Sequence, residues 1–157
     1  MTTKRTKLAA PWVRIVRDTT GVDYPSAAAG DSDGVIRSPV DVYRLLESRL
    51  GSEEQEVVVV LVLNARNRVV AVQEVTRGIV NSSLAHPREV FRLAIAYGAA
   101  AIIVAHNHPS EDPTPSADDR ALTRQLVDAG RILDIPVVDH VIVGGKRFFS
   151  FSEGGLL

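Results

Sequence analysis

Two histidines one residue apart and an aspartate eleven residues further on are the residues most able to do chemistry in this chain: His106-Asn107-His108 and Asp119, within AHNHPSEDPTPSADDR (105–120). The histidines follow the apolar run AAAIIVA (99–105), which has the character of a buried strand. Side chains alternate faces along a strand, so His106 and His108 point the same way and suit two cis ligands of a tetrahedral ion. A third ligand must come from elsewhere. Asp119 lies in the first turn of the next helix, beyond a loop stiffened by Pro109, Pro113 and Pro115, three of the chain's eight prolines. Two imidazoles and a carboxylate with a fourth position open form the catalytic arrangement of zinc, whereas structural sites are closed. Spacing alone leaves Asp112 and Asp118 as competing carboxylates. It also leaves Asp119 the plainer role of an acid at the positive end of a helix.

Composition narrows the chemistry. With no cysteine among 157 residues, thiol nucleophiles, disulfide scaffolds and iron–sulfur clusters are excluded. A length of 157 residues, 45% hydrophobic and 24% charged, fits one soluble globular domain. No apolar run approaches the roughly 18–20 residues of a membrane span, and MTTKRTKLAAPW lacks the apolar stretch of a secretory signal, so a cytoplasmic protein is expected. The net charge of −1 hides an asymmetry: residues 1–17 carry five basic groups and no acidic one, which leaves 13 basic against 19 acidic groups, a net of −6, for the rest. Phosphate neutralisation dominates nucleic-acid affinity, so the acidic body disfavours a duplex-binding role. The basic segment is expected to be a solvated terminus.

The elements that must position the histidines follow from pattern. WVRIV (12–16) suits a short edge strand, and 18–37, rich in Gly, Asp and Ser, a linker. Ser38-Pro39 opens a helix with Val42, Leu45, Leu46 and Leu50 on its apolar stripe and Gly51 as its stop. EVVVVLVLN (56–64) predicts a strand covered on both faces, VVAVQEV a partly exposed neighbour, and 77–86 a loop or short strand. A helix is expected over 87–97, with Val90, Phe91, Ala94 and Ile95 inward and Gly98 as stop, and another from about Ser116 to Gly130. IPVVDHVIV and KRFFSF predict a terminal hairpin across Gly144-Gly145, whose Phe148, Phe149 and Phe151 can pack internally or on a second subunit. Helices alternating with buried strands give an α/β sandwich. His86 is expected to cap or pack at a helix start, His140 to be a satisfied structural histidine, and Asn107 to point away from the ion and brace the loop.

His106-Asn107-His108, seven residues, Ser116, two residues, Asp119 resembles the JAMM signature of MPN-type metallo-hydrolases. HNHPS…DPTPSADD, together with HPREVF (86–91), EVVVVLVLNARNRV (56–69) and DHVIVG (139–144), is similar to the RadC-like branch. The resemblance implies a three-layer αβα sandwich with a mixed sheet, the MPN/JAB (cytidine-deaminase-like) architecture. It divides the chain into a basic lead-in and linker, 1–37, and an MPN/JAMM domain, 38–157. It implies Zn²⁺ held by His106, His108 and Asp119. Ser116 matches the motif serine that polarises a substrate carbonyl, and by spacing it also suits a helix N-cap. The family's proton-carrying glutamate stands at the start of a core strand, where this chain has Glu56; Glu74, Glu89 and Glu111 are rivals. One departure is visible: the family usually writes glycine after HNHPS, and this chain has Glu111, which can alter loop shape or substrate charge preference.

The function implied is a zinc-dependent hydrolase of metallopeptidase or isopeptidase type, acting on a peptide or protein substrate. A DNA-repair or nucleic-acid-processing accessory is the alternative, suggested by the name of the RadC-like family and the basic lead-in. A non-catalytic MPN interaction module is a second, weakened by the presence of all three ligands. Zinc deaminases are set aside because they rely on cysteine ligands.

Overall fold

The computed structural model describes residues 34–78 and 85–157. The strand expected over 12–16, most of the linker and part of the 77–86 connection lie outside the described residues. Helix α1 (Pro39–Leu50) begins where expected, with Asp41 Oδ2 accepting from the Ser38 backbone N–H at 2.9 Å. It ends at Gly51 for a different reason than a left-handed cap: φ there is −67°, and a Cβ would sit 2.6 Å from the Glu47 carbonyl oxygen.

Strand β1 (Val57–Leu63) is buried at every residue, as its unbroken β-branched run requires. Strand β2 (Val69–Arg77) is half-buried. Helix α2 (Pro87–Ala96) starts at His86, whose Nδ1 accepts from the Arg88 N–H. Its inward face is Val90, Phe91, Leu93 and Ala94; Ile95, expected inside, is 56% exposed because it turns off the stripe that meets the sheet. Strand β3 (Ala101–Asn107) begins two residues later than the apolar run and carries His106 within it.

Helix α3 (Ala117–Leu133) continues past Gly130 to a left-handed cap at Asp134. Gly130 is not a stop signal: it lies inside the helix, where a Cβ would meet the Ile135 carbonyl at 2.6 Å and Phe91 at 3.3 Å. The hairpin of β4 (Val137–Gly144) and β5 (Arg147–Ser150) turns at Gly145-Lys146, one residue later than expected, because Gly144 pairs with Arg147 as the last rung and Gly145 takes the positive φ.

The sheet order is β2-β1-β3-β4-β5, with β3 and β4 parallel and the other neighbours antiparallel. Strand parity divides the core into two layers. Val57, Val59, Leu61 and Leu63 pack with α1, whereas Val58, Val60, Ile102 and Val104 pack with α2 and α3. Each fully buried branched residue contributes roughly 1.5–3 kcal/mol of hydrophobic stabilisation. The expected three-layer αβα sandwich on a mixed sheet is what these residues build. No helix among the described residues is long and apolar enough to cross a membrane. Because His106 shares the parity of Ile102 and Val104, it faces α3, the helix able to offer it a carboxylate.

Candidate metal centre

Among the described residues, His106, His108 and Asp119 form a group whose ligand atoms all lie within 4.8 Å of one another. The Nε2 atoms of the two imidazoles are 3.0 Å apart. Asp119 spans them, with Oδ1 3.1 Å from His106 Nε2 and Oδ2 3.2 Å from His108 Nε2. Tetrahedral nitrogen and oxygen ligands about 2.0–2.1 Å from a zinc ion stand about 3.3 Å from each other. The Nε2–Nε2 separation comes near that spacing, and the carboxylate meets each imidazole with a different oxygen.

The outer ring atom of His108 is already engaged. Its Nδ1 lies 2.7 Å from the Asp112 carbonyl oxygen, which can only accept, so Nδ1 carries the proton and Nε2 presents its lone pair to the centre. His106 Nδ1 lies 2.8 Å from Nε2 of His140. Two ring nitrogens and a carboxylate thus converge in a buried place, an electron-rich arrangement that a cation satisfies. His106 is fully buried and Asp119 only 4% exposed.

Asp119 is fixed as the third residue of α3. Its Oδ2 accepts from the Ser116 N–H at 2.7 Å, while its own N–H donates to Ser116 Oγ at 3.1 Å. The helix-capping reading of both residues therefore holds alongside the ligand geometry. Burial pushes the Asp119 carboxyl up, but whenever the imidazoles are protonated on Nε2 their side-chain bonds and the charge of His106, together with the Ser116 N–H, outweigh it and hold it well below the usual carboxylate range. For His108 the bond to Asp119 raises the imidazole above its ordinary value against the opposing effect of burial, with the Asp112 carbonyl and the charges of Asp119 and Glu56 adding to the rise. His140 is driven well below its ordinary value, first by burial and then by the neighbouring His106, so it is neutral.

The competing carboxylates are elsewhere. Asp112 Oδ1 takes the Thr114 N–H and hydroxyl, and Asp118 is exposed on α3. Glu74 is locked with Arg77 at 2.9 Å, and Glu89 pairs with Arg88 and Arg92 on α2. Glu56 is half-buried immediately before β1, and its charge acts on His108. Its position is set by Asn107, which braces the entrance of β1 and not its own loop. Asn107 Oδ1 accepts from the Val57 N–H at 2.7 Å, and its Nδ2 donates to the Gln55 and Glu53 carbonyls at 2.9 and 3.3 Å. The residue between the two histidines thereby clamps the peptide on both sides of Glu56.

Glu111 explains the glycine expected at its position. Its φ is +63°, in the left-handed region that favours glycine, and its N–H closes a turn onto the His108 carbonyl at 3.0 Å. Its carbonyl accepts from Arg147 at 3.1 Å, so the loop keeps its path without the glycine. Glu111→Gly is expected to stabilise the fold by up to about 1 kcal/mol, since the left-handed cost of roughly 1–2 kcal/mol is offset in part by glycine's freedom in the unfolded chain. A thermal unfolding midpoint unchanged or lowered by this substitution contradicts the strain.

His140 is the residue whose part at this site sequence reasoning missed. It is buried as expected of a structural histidine and stacks on Phe151 at 4.7 Å, yet it touches His106 directly. The signal available was its place on β4 beside β3, where His140 pairs in register with Val104, two residues from His106.

Fold and triad together define an α/β sandwich domain with a His-His-Asp group able to hold a metal ion. The chain belongs to the RadC-like JAB domain family, whose model matches residues 36–156. Proteins named UPF0758 from Moorella thermoacetica, Clostridium beijerinckii and Symbiobacterium thermophilum are 52%, 43% and 49% identical to it, over 78%, 85% and 76% of this chain. The matches cover 54%, 58% and 51% of those relatives, so the chain spans about half the length of the curated relatives it matches.

Proposed function

We propose that this domain is a zinc-dependent hydrolase acting on amide or isopeptide bonds of a peptide or protein substrate. The observation that carries the reading is the convergence of two Nε2 atoms and a carboxylate at edges of 3.0–3.2 Å. Two imidazoles and one carboxylate suit zinc and leave a ligand position free for chemistry. When bound, the ion supplies Lewis acidity and an activated water.

The chain's own residues do the rest. Glu56, held beside His108 by the Asn107 clamp, takes the proton of the attacking water and delivers it to the leaving amine. Ser116 Oγ accepts the Asp119 N–H, which leaves its own proton to donate to the substrate carbonyl oxygen as charge develops there. A groove of about 450 Å³ runs beside His108, with Glu53, Glu54 and Glu111 along it. Glu53 is paired with Arg77 at 2.7 Å, so Glu54 and Glu111 supply the acidic lining, which suits a peptide better than a phosphodiester.

The test is to incubate the zinc-loaded chain with quenched peptide and isopeptide libraries and with single- and double-stranded oligonucleotides. Peptide cleavage that stops on chelation and returns with added zinc is expected. Cleavage indifferent to chelation, or turnover of oligonucleotides alone, overturns the reading.

A further inference from the structure

We propose that Thr123 and His140 form an ordered hydrogen-bond relay that holds His106 as its Nδ1–H tautomer and so keeps its Nε2 free to bind metal. The inference rests on the metal-centre reading above and extends it to two residues outside the ligand set. Thr123 is buried on α3, one turn beyond Asp119. Its Oγ1 lies 2.6 Å from the Asp119 carbonyl oxygen and 2.6 Å from His140 Nδ1. The far nitrogen of His140 lies 2.8 Å from His106 Nδ1.

Donor and acceptor accounting orders the protons. A carbonyl oxygen only accepts, and two oxygens 2.6 Å apart repel unless a proton lies between them, so the Thr123 hydroxyl donates to Asp119. Its remaining lone pair then needs a donor, which must be His140 Nδ1–H. A neutral His140 protonated at Nδ1 presents a bare Nε2, and the donor facing it must be His106 Nδ1–H. His106 Nε2 is left with its lone pair toward His108 and Asp119.

The reverse order is also continuous, but it places two oxygen lone pairs face to face at 2.6 Å and puts a proton on His106 Nε2, where a metal must bind. The hydroxyl of Thr123 thus ties the backbone of one ligand, Asp119, to the tautomer of another, His106. Thr123 and His140 are positioning residues.

Long-range ¹⁵N NMR of the imidazoles in the zinc-loaded wild type, where no proton competes for His106 Nε2, reads the relay directly. His140 is expected as its Nδ1–H form, and an Nε2–H signal at His140 overturns the relay. Titration with Co²⁺, followed by its d–d absorption, supplies the second readout. Thr123→Val keeps the shape and removes the hydroxyl, and it is expected to weaken cobalt binding about 10–100-fold. Thr123→Ser, which restores the hydroxyl, is expected to bind within a few-fold of wild type. Wild-type affinity in Thr123→Val sinks the relay while leaving the metal centre intact. A wild type that takes up no cobalt sinks the metal reading, and this proposal with it.

Discussion

Zinc content is expected to fall from about one ion per chain to near zero in His108→Ala, and affinity to fall at least about 100-fold in Asp119→Asn. The loss exceeds the 10–100-fold that removal of an outer-shell partner costs, because a direct bond to the ion disappears. The two substitutions isolate different contributions. His108→Ala removes one Nε2 and also releases the Asp112 carbonyl that fixed it at 2.7 Å, so the open end of the site is dismantled. Asp119→Asn keeps the side-chain shape, and its amide oxygen can still accept the Ser116 N–H that now lies 2.7 Å from Oδ2. The helix start survives, while the negative charge that Asp119 sets between the imidazoles is lost. Elemental analysis of purified protein and competition with a chelating dye measure both. Equal zinc in wild type and His108→Ala, whether one ion or none, removes the metal centre. A near-normal unfolding midpoint in Asp119→Asn confirms that its effect is on the ion and not on the fold.

The parity of β3 was legible because periodicity is local: an apolar run ending in His-x-His commits both rings to one face, and Ile102 and Val104 in the same register commit that face to α3. The choice among Asp112, Asp118 and Asp119 was not available from spacing. It depends on Asp112 turning back onto Thr114 and on α3 starting at Ala117, so that residue 119 and not 118 lies inward. The end of α3, expected at about Gly130, was placed too early for a related reason. Glycine near a helix end is the commonest stop signal, but here it admits the Ile135 carbonyl against the helix, a tertiary contact that a local pattern does not carry. Ile95 fits the helical spacing of Val90, Phe91 and Ala94, yet Leu93 is the residue buried beside them and Ile95 is exposed. The contact of His140 with His106 spans 34 residues and joins adjacent strands, so the sequence showed a histidine without its neighbour. Glu56 was reached through family resemblance; the clamp that holds it comes from Asn107, which sequence reasoning had assigned to bracing a different segment.

Glu56→Gln is expected to lower kcat/KM for peptide cleavage about 10²–10⁴-fold, the range over which a positioned acid–base group contributes, while zinc content stays at the wild-type level. The separation follows from position. Glu56 is outside the ligand triad, so the ion has no reason to leave; it stands half-buried at the entrance of β1, from where its charge acts on His108. Glutamine preserves length and hydrogen bonding but cannot take a proton from water and return it to an amine, so the loss falls on kcat more than on KM. Glu56→Asp, one methylene shorter, keeps the base but withdraws it from a site set by the Asn107 clamp, and its activity should lie between wild type and Glu56→Gln. Steady-state kinetics on one cleaved peptide, paired with metal analysis of each variant, decide the matter. Wild-type turnover in Glu56→Gln transfers the proton role to another group. Of the carboxylates weighed for it, Glu111 is the one that lines the groove beside His108, whereas Glu74 is held at 2.9 Å by Arg77 and Glu89 is paired with arginines on α2.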